Sequence, residues 1–341
     1  MKKFVNDPKA FVKEFVQGIA VAHSDQLRLL DEAMCFVRQD SPKDNKVAII
    51  TGGGSGHLPV FLGYVGYGLC DGVAIGEVFQ SPSADQIIAA ADATHSGAGV
   101  LFLFGNYSGD VMNFDMASEV LEMQDITCKT VLVSDDVASA PRDSWQKRRG
   151  VAGLFFAYKI AGAKAETLAN LDEVTRVAEK VVASTRSMGV ALTPCIIPEV
   201  GKPTFEIGEN EMEIGMGIHG ERGIHRGELR PADEVTKQLM DSIIADFPLG
   251  SGAEVAVLVN GLGATPLEEL YIVYRKAYEI LQAAGIKVYR NYIGEFATSM
   301  EMGGLSITLL KLDDELKELL DASAQSPFFL QPGPGGICCG N

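Results

Sequence analysis

Positive charge is scarce in this 341-residue chain. Its 29 Lys and Arg residues stand against 45 Asp and Glu residues, and the formal net charge is -16. Nucleic acids and anionic membrane surfaces attract proteins through lysine and arginine, so neither is expected as a partner. A small neutral or anionic substrate remains compatible with this charge, because a local field can oppose the global one.

Long apolar runs and a secretory leader are also missing. No stretch approaches the ~18 uninterrupted apolar residues that a membrane-spanning helix needs. The first residues, MKKFVNDPKAFVKEF, contain no extended apolar segment and no small-residue cleavage site. We therefore expect no membrane span and a cytoplasmic location.

Cysteine is sparse and is not spaced as in metal sites. Cys35, Cys70, Cys128 and Cys195 each occur alone in apolar surroundings, which indicates buried thiols in a reducing compartment. The pair Cys338–Cys339 lies in the tail PGPGGICCGN without the spaced partners of usual metal ligand sets. Docking of this tail on a neighbouring subunit is a plainer interpretation than a metal site.

A nucleotide-binding motif is absent too. The glycine-rich stretch TGGGSGHLP (51–59) follows a predicted strand, but it lacks the lysine and the spacing of the phosphate-binding pattern GxxxxGK[ST]. No Asp-rich metal motif accompanies it. The glycine-rich stretch is therefore not a phosphate-binding loop of this type.

What the sequence does contain is an alternation of short apolar runs with amphipathic segments, which is typical of a parallel α/β sheet. The predicted strands of the first half are residues 46–51, 72–79, 99–104 and 130–135. The predicted helices of the first half are residues 8–39, 83–94, 110–123, 150–162 and 170–188.

The second half, from GVALTPCIIPEVG (189–201) onward, mixes strands and helices less regularly. Its predicted elements are a helix at 232–246, a helix ending near 284, and strands at 253–263, 286–294 and 305–313. We predict two α/β domains: residues 1–188 with a mainly parallel sheet and residues 189–326 with a mixed sheet. A Gly/Pro/Cys tail, residues 327–341, follows them.

Two polar stretches follow predicted strands, where ligands commonly bind parallel sheets. In TGGGSGHLP, Gly53, Gly54 and Ser55 are candidates to hold a small polar ligand through backbone N–H groups, with His57 at the rim. The alternative is a tight turn whose histidine caps the next helix.

The second stretch is FGNYSGDVMNFD (104–115), in which Asn106, Ser108 and Asp110 cluster. Asp110 is either a helix N-cap or a carboxylate that takes a proton from a substrate hydroxyl.

Two further stretches lie in the second half. GMGIHGERG (215–223) surrounds His219 with glycines, which lets the backbone approach a ligand closely. His219 is either a satisfied structural histidine or a nucleophile, since a neutral imidazole attacks carbonyl groups. In NGLGATPLEELY (260–271), Thr265 and Pro266 predict a helix start, and Asn260 is a candidate for a pocket wall or an interface.

Together these stretches resemble the substrate-binding (K) subunit of dihydroxyacetone kinases, in family order over nearly the whole chain. The matching stretches are GGGSGH (52–57), SPSADQI (81–87), NYSGDVMNF (106–114), DDVA (135–138), RRGVAG (148–153), GKPTFEI (201–207), NEMEIGMGIHGE (210–221), NGLGATPLEELY (260–271) and SITLLKLDDE (306–315).

The resemblance implies roles for three side chains. His219 matches the histidine that adds through a ring nitrogen to the ketone of a short-chain hydroxyketone and forms a covalent hemiaminal. His57 matches the histidine that hydrogen-bonds the substrate and assists proton transfer. Asp110 matches the base on the hydroxyl that receives phosphate. The implied substrate contacts are Gly54, Ser55, Gly56, His57, Gly105, Asn106 and Asp110.

The resemblance also implies an enzyme that transfers phosphate to an alcohol group of a ketose. Its second α/β domain carries the nucleophilic histidine, and the chain pairs as a homodimer. The chain itself binds no cofactor, because a separate L subunit carries ATP or ADP with Mg²⁺. The phosphate comes from ATP or from a phosphoprotein relay that starts at phosphoenolpyruvate.

Three positions depart from the family pattern. Leu58 replaces a glutamate, Gly105 replaces a lysine that contacts the substrate, and Arg222 replaces a proline. Loss of the lysine removes a donor and opens volume, which favours a tetrulose such as erythrulose. The alternative is dihydroxyacetone itself, held by a rearranged contact.

A different class of function is a ketone-sensing co-activator without kinase activity, as in some relatives. Asp110 and His57 both remain in this chain, which favours the enzyme, because a sensor needs no base on the hydroxyl. A third hypothesis is a generic binding protein, but it does not explain the His219 stretch.

Overall fold

The computed structural model describes residues 2–247 and 249–336. These residues form two compact units. The first unit comprises residues 2–133, 154–181 and 315–336, and the second comprises 134–153 and 182–314. The pair Cys338–Cys339 and the interpretations of its role lie outside the described residues.

Helices and strands are numbered here in chain order. The helices are α1 (Phe11–Ala22), α2 (Ala84–Asp92), α3 (Ser108–Glu122), α4 (Leu154–Glu166), α5 (Leu171–Ala183), α6 (Ala232–Asp246), α7 (Leu267–Ala283) and α8 (Asp314–Asp321). The strands are β1 (Leu27–Leu30), β2 (Cys35–Arg38), β3 (Ala48–Ser55), β4 (Gly72–Val78), β5 (Val100–Gly105), β6 (Cys128–Val133), β7 (Thr185–Thr193), β8 (Glu211–Ile214), β9 (His225–Glu228), β10 (Glu254–Gly261), β11 (Lys287–Gly294), β12 (Gly303–Leu312), β13 (Ala324–Ser326) and β14 (Phe329–Gln331).

The first sheet has the strand order β1-β2-β4-β3-β5-β6. Strands β4, β3, β5 and β6 are parallel, and the hairpin β1–β2 joins them antiparallel at one edge. Helices α2 and α3 pack on this sheet around Phe102, Phe104 and Phe114. Parallel strands are covered by helices on their faces, which explains why their sequences are continuous apolar runs.

The second sheet has the order β11-β10-β12-β7-β8-β9. Only β10 and β11 run parallel, and the other neighbours are antiparallel. Val255, Val257 and Val259 of β10 share a core with α6 and α7. The predicted α/β class, with a mainly parallel first sheet and a mixed second one, is confirmed.

The predicted helix over residues 8–39 is wrong beyond Ala22. The helix α1 ends there, and residues 27–38 form the hairpin β1–β2, with Met34 in the left-handed region at a φ of 50°. A short apolar run such as LRLL fits either a strand or a helix. Pairing of β2 with β4 selects the strand.

The predicted helix over 170–188 also runs too far. Helix α5 ends at Ala183, and β7 begins at Thr185. Residues 185–193 pair with β12 in the centre of the second sheet. The local pattern of residues does not reveal this partner, because β12 lies more than a hundred residues later.

The two units differ from the predicted division at residue 188 because each is made of separate chain segments. Residues 154–181 belong to the first unit, where α4 contacts β3 and β5. Residues 134–153 belong to the second unit, where Asp135 accepts a hydrogen bond from the backbone of Ser187. Packing partners therefore divide the chain, and no single linker does.

None of the helices in the described part of the chain is long and apolar enough to cross a membrane.

Asn260 lies at the end of β10 and is fully buried. Its Nδ2 donates to the carbonyl of Ala297 at 2.8 Å, and its Oδ1 accepts from the backbone N–H groups of Phe296 and Ala297 at 2.8 Å each. Its side chain thus fixes the turn after β11. The hydroxyl of Thr265 does not cap helix α7, because it bonds to the backbone of Gly304 in β12.

We predict that Asn260→Ala lowers the free energy of unfolding by about 3 kcal/mol or more, since each buried polar group left unpaired costs about 1–3 kcal/mol. Chemical denaturation measures the effect. Asn291→Ala, on the exposed side of the neighbouring strand β11, is the matched control and should change stability by less than about 0.5 kcal/mol. Equal effects of the two variants would contradict the structural role of Asn260.

Candidate active site

The glycine-rich stretch at 52–55 is the end of a strand. Residues Gly52–Ser55 belong to β3 and pair with β4, and the chain turns at Gly56, whose φ is 101°. A Cβ atom on Gly54 would lie 2.7 Å from the backbone nitrogen of Gln80. Residues 52–55 therefore do not form the tight turn that was the alternative interpretation, because glycine here serves close packing of backbone against backbone.

His57 follows this strand end and is almost fully buried, with 1% of its surface exposed. Its ring stacks on Phe79 with centroids 4.8 Å apart and meets Phe61 edge-on at 6.1 Å. Phe79 and Phe61 have φ values of 59° and 64°, which are uncommon for bulky residues. The predicted rim position is wrong: two aromatic rings on strained backbone fix the imidazole orientation.

Ser55 has a hydroxyl group that is committed to the fold. Its Oγ donates to the carbonyl of Gly76 at 2.7 Å, and its own carbonyl accepts from Phe79 N at 3.0 Å. The side chain of Ser55 therefore stabilises the β3–β4 pair, and any ligand contact of this residue would come from other atoms.

A small cavity of about 20 Å³ lies against Gly53, Gly54, Ser55 and His57. A single water molecule needs about 10–15 Å³ of such space. The cavity as it stands therefore has room for about one water molecule.

Asp110 is the third residue of α3 and is buried. Tyr107 occupies the N-cap position, so the N-cap interpretation of Asp110 is wrong. Phe114, one turn later, stacks on Phe104 of β5 with centroids 3.9 Å apart, which fixes the start of the helix over the sheet. The first turn of a helix stabilises a carboxylate through the helix dipole.

Gly105 and Asn106 connect this helix to the sheet. Gly105 ends β5, and the backbone N–H of Asn106 continues the pairing by donating to Val133 at 3.0 Å. Because β3 and β5 are parallel neighbours, their carboxyl ends lie at the same edge of the first sheet. The candidate residues 54–57 and 105–110 are thus at one edge.

His219 belongs to the second unit, in the connection between β8 and β9. Gly215 and Gly220 have φ values of 80° and 82° and turn the chain on both sides of it. Glu221 holds this histidine twice: its Oε1 lies 3.0 Å from His219 Nδ1, and its Oε2 accepts from the His219 backbone N–H at 2.9 Å. The imidazole is partly exposed, at 23% of its side-chain surface.

Glu221 is ionised. Burial raises its pKa, but the hydrogen bond from His219 and the charges of His219 and Arg149 outweigh burial and lower the pKa to about 2. Arg149 in turn bonds Asp136 through Nε at 3.0 Å and Nη2 at 2.7 Å. Asp136, Arg149, Glu221 and His219 therefore contact one another in that order.

Sequence reasoning assigned no role to Glu221, Arg149 and Asp136. All three lie in stretches that carry the family resemblance, namely GIHGE, RRGVAG and DDVA. The pattern alone did not show that residues 136, 149 and 221 meet, because 85 positions separate the first from the last.

The Dak1 domain family matches residues 17–328 of the chain. The chain belongs to this family. The chain is 44% identical over 315 residues to "PTS-dependent dihydroxyacetone kinase 1, dihydroxyacetone-binding subunit DhaK" of Listeria innocua, which covers 92% of this chain and 95% of the relative. It is 43% identical to "L-erythrulose kinase" of Pectobacterium atrosepticum over 96% of this chain and 56% of the relative.

Solved structures show the same fold. The dihydroxyacetone kinase from C. freundii in complex with AMP-PNP and Mg²⁺ matches with a TM-score of 0.89 and 30% identity, over 100% of this chain and 63% of that one. The "Dihydroxyacetone kinase operon co-activator Dha-DhaQ" matches with a TM-score of 0.87 and 30% identity, over 93% and 98%. The predicted family is confirmed, and so is the enzyme class, a kinase that phosphorylates an alcohol group.

Gly54→Ala should lower the free energy of unfolding by about 1–3 kcal/mol, the usual cost of overpacking, because its Cβ would enter the Phe79–Gln80 backbone. Gly18→Ala in helix α1, where a Cβ meets nothing within 4 Å, is the control and should instead stabilise by about 0.5–1 kcal/mol. Chemical denaturation shows whether the free energy of unfolding of each variant is lower or higher than that of wild type. A neutral Gly54→Ala would show that the strand end accommodates a side chain.

Asp136 gives the structure a pH dependence. Burial raises its pKa from 3.8 to about 6 against the opposing effect of Arg149. A raised folded-state pKa means that the contribution of Asp136 to stability is complete below pH ~4 and is lost as the pH rises through ~6.

We predict that Asp136→Asn removes this dependence. Between pH 4 and pH 7 the unfolding free energy of the variant should gain about 3 kcal/mol relative to wild type, at 1.36 kcal/mol per pKa unit. Urea denaturation at several pH values measures the difference. Parallel pH profiles of the two proteins would mean that Asp136 titrates normally.

Proposed function

We propose that this chain is the ketose-binding subunit of a dihydroxyacetone-type kinase and that it holds its substrate as a hemiaminal on His219. The observation that carries the proposal is the contact between His219 Nδ1 and the ionised Glu221. A carboxylate at Nδ1 keeps the proton on that nitrogen, so the lone pair of the neutral ring resides on Nε2. The imidazole is partly exposed and flanked by glycines, which gives a carbonyl carbon access.

The proposed addition keeps all atoms of the ketone. The Nε2 lone pair forms a bond to the carbonyl carbon, the C=O π pair moves to oxygen, and that oxygen takes up a proton from solvent. Positive charge develops on the ring, and Glu221 stabilises it through the Nδ1 proton. A covalent bond of this kind selects a ketone against polyols such as glycerol and fixes the terminal hydroxyl for phosphoryl transfer.

Asp110 is proposed as the base that takes the proton of that terminal hydroxyl while its oxygen bonds to phosphorus. Its place in the first turn of α3 favours the carboxylate that this role needs. His57 is proposed to hydrogen-bond the substrate, with backbone contacts from Gly54, Ser55 and Gly56. Gly105 and Asn106 complete the proposed substrate contacts.

The nucleotide and its Mg²⁺ are proposed on a separate L subunit, with ATP or a phosphoprotein relay as the phosphate source. Among the relatives, the names of the Listeria innocua and Escherichia coli subunits refer to phosphotransferase-dependent and phosphoenolpyruvate-dependent kinases. We further propose a homodimer in the cytoplasm, where single buried thiols such as Cys35 and Cys70 stay reduced.

Erythrulose is proposed as the preferred ketose over dihydroxyacetone. Gly105 lacks the side chain that occupies this position in the dihydroxyacetone enzymes, and relatives 40–43% identical to this chain carry the names of D- and L-erythrulose kinases.

We predict that native mass spectrometry with dihydroxyacetone, D-erythrulose or L-erythrulose shows a mass gain equal to the whole ketone, without loss of water. His219→Ala should abolish the gain, whereas His225→Ala, an exposed histidine of β9, should retain it. The same spectra report whether the chain is a dimer. A gain that persists in His219→Ala would contradict hemiaminal formation at this residue.

Asp110→Asn should keep the adduct but slow phosphoryl transfer about 10²–10⁴-fold, the usual contribution of a positioned base. The assay mixes the chain with the nucleotide-binding subunit of a dihydroxyacetone kinase, Mg²⁺ and ATP. Asp115→Asn, exposed on the same helix, is the control with unchanged rate.

The second candidate function is the ketone-sensing co-activator, favoured by the structural match to Dha-DhaQ. Adduct formation in wild type without phosphoryl transfer, from ATP or from a phosphoenolpyruvate relay, would support it. Transfer by wild type that is lost in Asp110→Asn supports the kinase.

A further inference from the structure

We propose that Arg149, held in place by Asp136, is a positioning residue for His219 that acts through Glu221. The inference rests on the proposed function, because that function is the reason why His219 must be oriented. The geometry itself does not depend on it. Every contact that carries it lies within the second unit.

Asp136 anchors the guanidinium group from a buried position. Only 3% of its surface is exposed, and its Oδ2 accepts from Arg149 Nε at 3.0 Å and Nη2 at 2.7 Å. Its Oδ1 accepts from the backbone N–H of Ala138 at 3.0 Å, and its own backbone N–H donates to the Arg149 carbonyl at 3.1 Å. Both ends of the pair are thus tied, which leaves the arginine few alternative rotamers.

The remaining face of the guanidinium group points toward the His219 loop. Arg149 Nη2 donates to the carbonyl of Gly215 at 3.2 Å, and Arg149 Nη1 lies 3.8 Å from Glu221 Oε2. Oε2 is the oxygen that accepts the backbone N–H of His219, and Oε1 is the oxygen at Nδ1. Arg149 therefore bonds the start of the loop and, at ion-pair distance, places its positive charge beside one oxygen of the carboxylate.

Gly217 leaves the space that this arrangement needs. A Cβ atom on Gly217 would lie 2.2 Å from Glu221 Oε2 and 2.6 Å from Arg149 Nη1. Its φ is not in the left-handed region, so backbone freedom is not the reason for glycine here. Glycine at this position admits the carboxylate and the guanidinium group, and any side chain would separate them from His219.

The electrostatic consequence concerns the imidazole. Glu221 must stay ionised and aimed at Nδ1 if Nε2 is to carry the lone pair. A guanidinium group whose Nε–Nη2 edge is bound to Asp136 keeps its Nη1 at a fixed position beside Glu221, whereas a lysine supplies charge without that geometry. Arg149 thus acts on the tautomer of His219 without touching the substrate.

If the ion pair of Arg149 and Asp136 were purely structural, it would hold residues 134–153 against the His219 loop and would not affect which nitrogen of His219 carries the proton. The discriminating readout is therefore the tautomer of His219 in the absence of ketone, from ¹⁵N chemical shifts of histidine-labelled protein. We expect Nδ1 protonated and Nε2 unprotonated in wild type. The His219 signals are assigned by their loss in His219→Ala.

The variants are Arg149→Met, Arg149→Lys and Gly217→Ala. We expect Arg149→Met and Gly217→Ala to populate the opposite tautomer and to raise the dissociation constant of the ketone adduct at least tenfold, measured by native mass spectrometry. Arg149→Lys should recover part of the affinity. Arg226→Met, which breaks the ion pair with Glu213 in the same β8–β9 hairpin, is the control and should leave the tautomer unchanged.

Wild-type tautomer and wild-type affinity in Arg149→Met would overturn the proposal. If Arg149→Met does not fold, an unchanged tautomer in Arg149→Lys together with Gly217→Ala overturns it equally. Absence of any ketone adduct in wild type would count against the proposed function instead, and the tautomer measurement would still decide the role of Arg149.

Discussion

Close approach of other chain segments to glycine residues determines where both candidate histidines lie. At the end of β3, the backbone of Phe79 and Gln80 packs directly on Gly54, and this contact brings the Phe79 ring onto His57. In the second unit, the carboxylate of Glu221 and the guanidinium of Arg149 occupy the space beside Gly217. A Cβ atom at either glycine would displace the groups that orient the histidine. The glycine-rich character of both stretches is thus a steric requirement.

The two histidines are held by different physical means, which matches the different chemistry proposed for them. His57 is buried between aromatic rings that fix its plane. His219 is partly exposed and held at Nδ1 by an ionised carboxylate. A carboxylate at Nδ1 determines which nitrogen of His219 carries the proton, which is the arrangement that the proposed nucleophile needs.

The candidate residues of the first unit lie close together because neighbouring parallel strands end at the same edge of a sheet. The carboxyl ends of β3 and β5 lie at one edge, and the Phe104–Phe114 stack sets the start of α3 above it. Asp110 therefore owes its position to an apolar contact one helical turn away. The same sequence positions that build the core of α3 also place its acidic first turn.

Much of this could be predicted from the sequence, because the signals are local. The apolar runs at 46–51 and 99–104 are buried throughout and those at 72–79 and 130–135 are mostly buried, so their composition identifies strands β3 to β6. The helix predicted over 8–39 failed because residues 27–38 are short apolar segments whose state depends on pairing with β4. Motifs indicate the candidate residues His57, Asp110 and His219, but they do not reveal the environments of these side chains.

The sequence by itself determined the α/β class, the mainly parallel character of the first sheet and the family, since each rests on periodicity or on contiguous motifs. Tertiary structure decided which segments share a unit, that His57 is buried rather than at a rim, and that Asp136, Arg149 and Glu221 meet beside His219. These features depend on contacts between residues far apart in the chain. No local pattern encodes them, because the energy of such a contact exists only once both segments are packed.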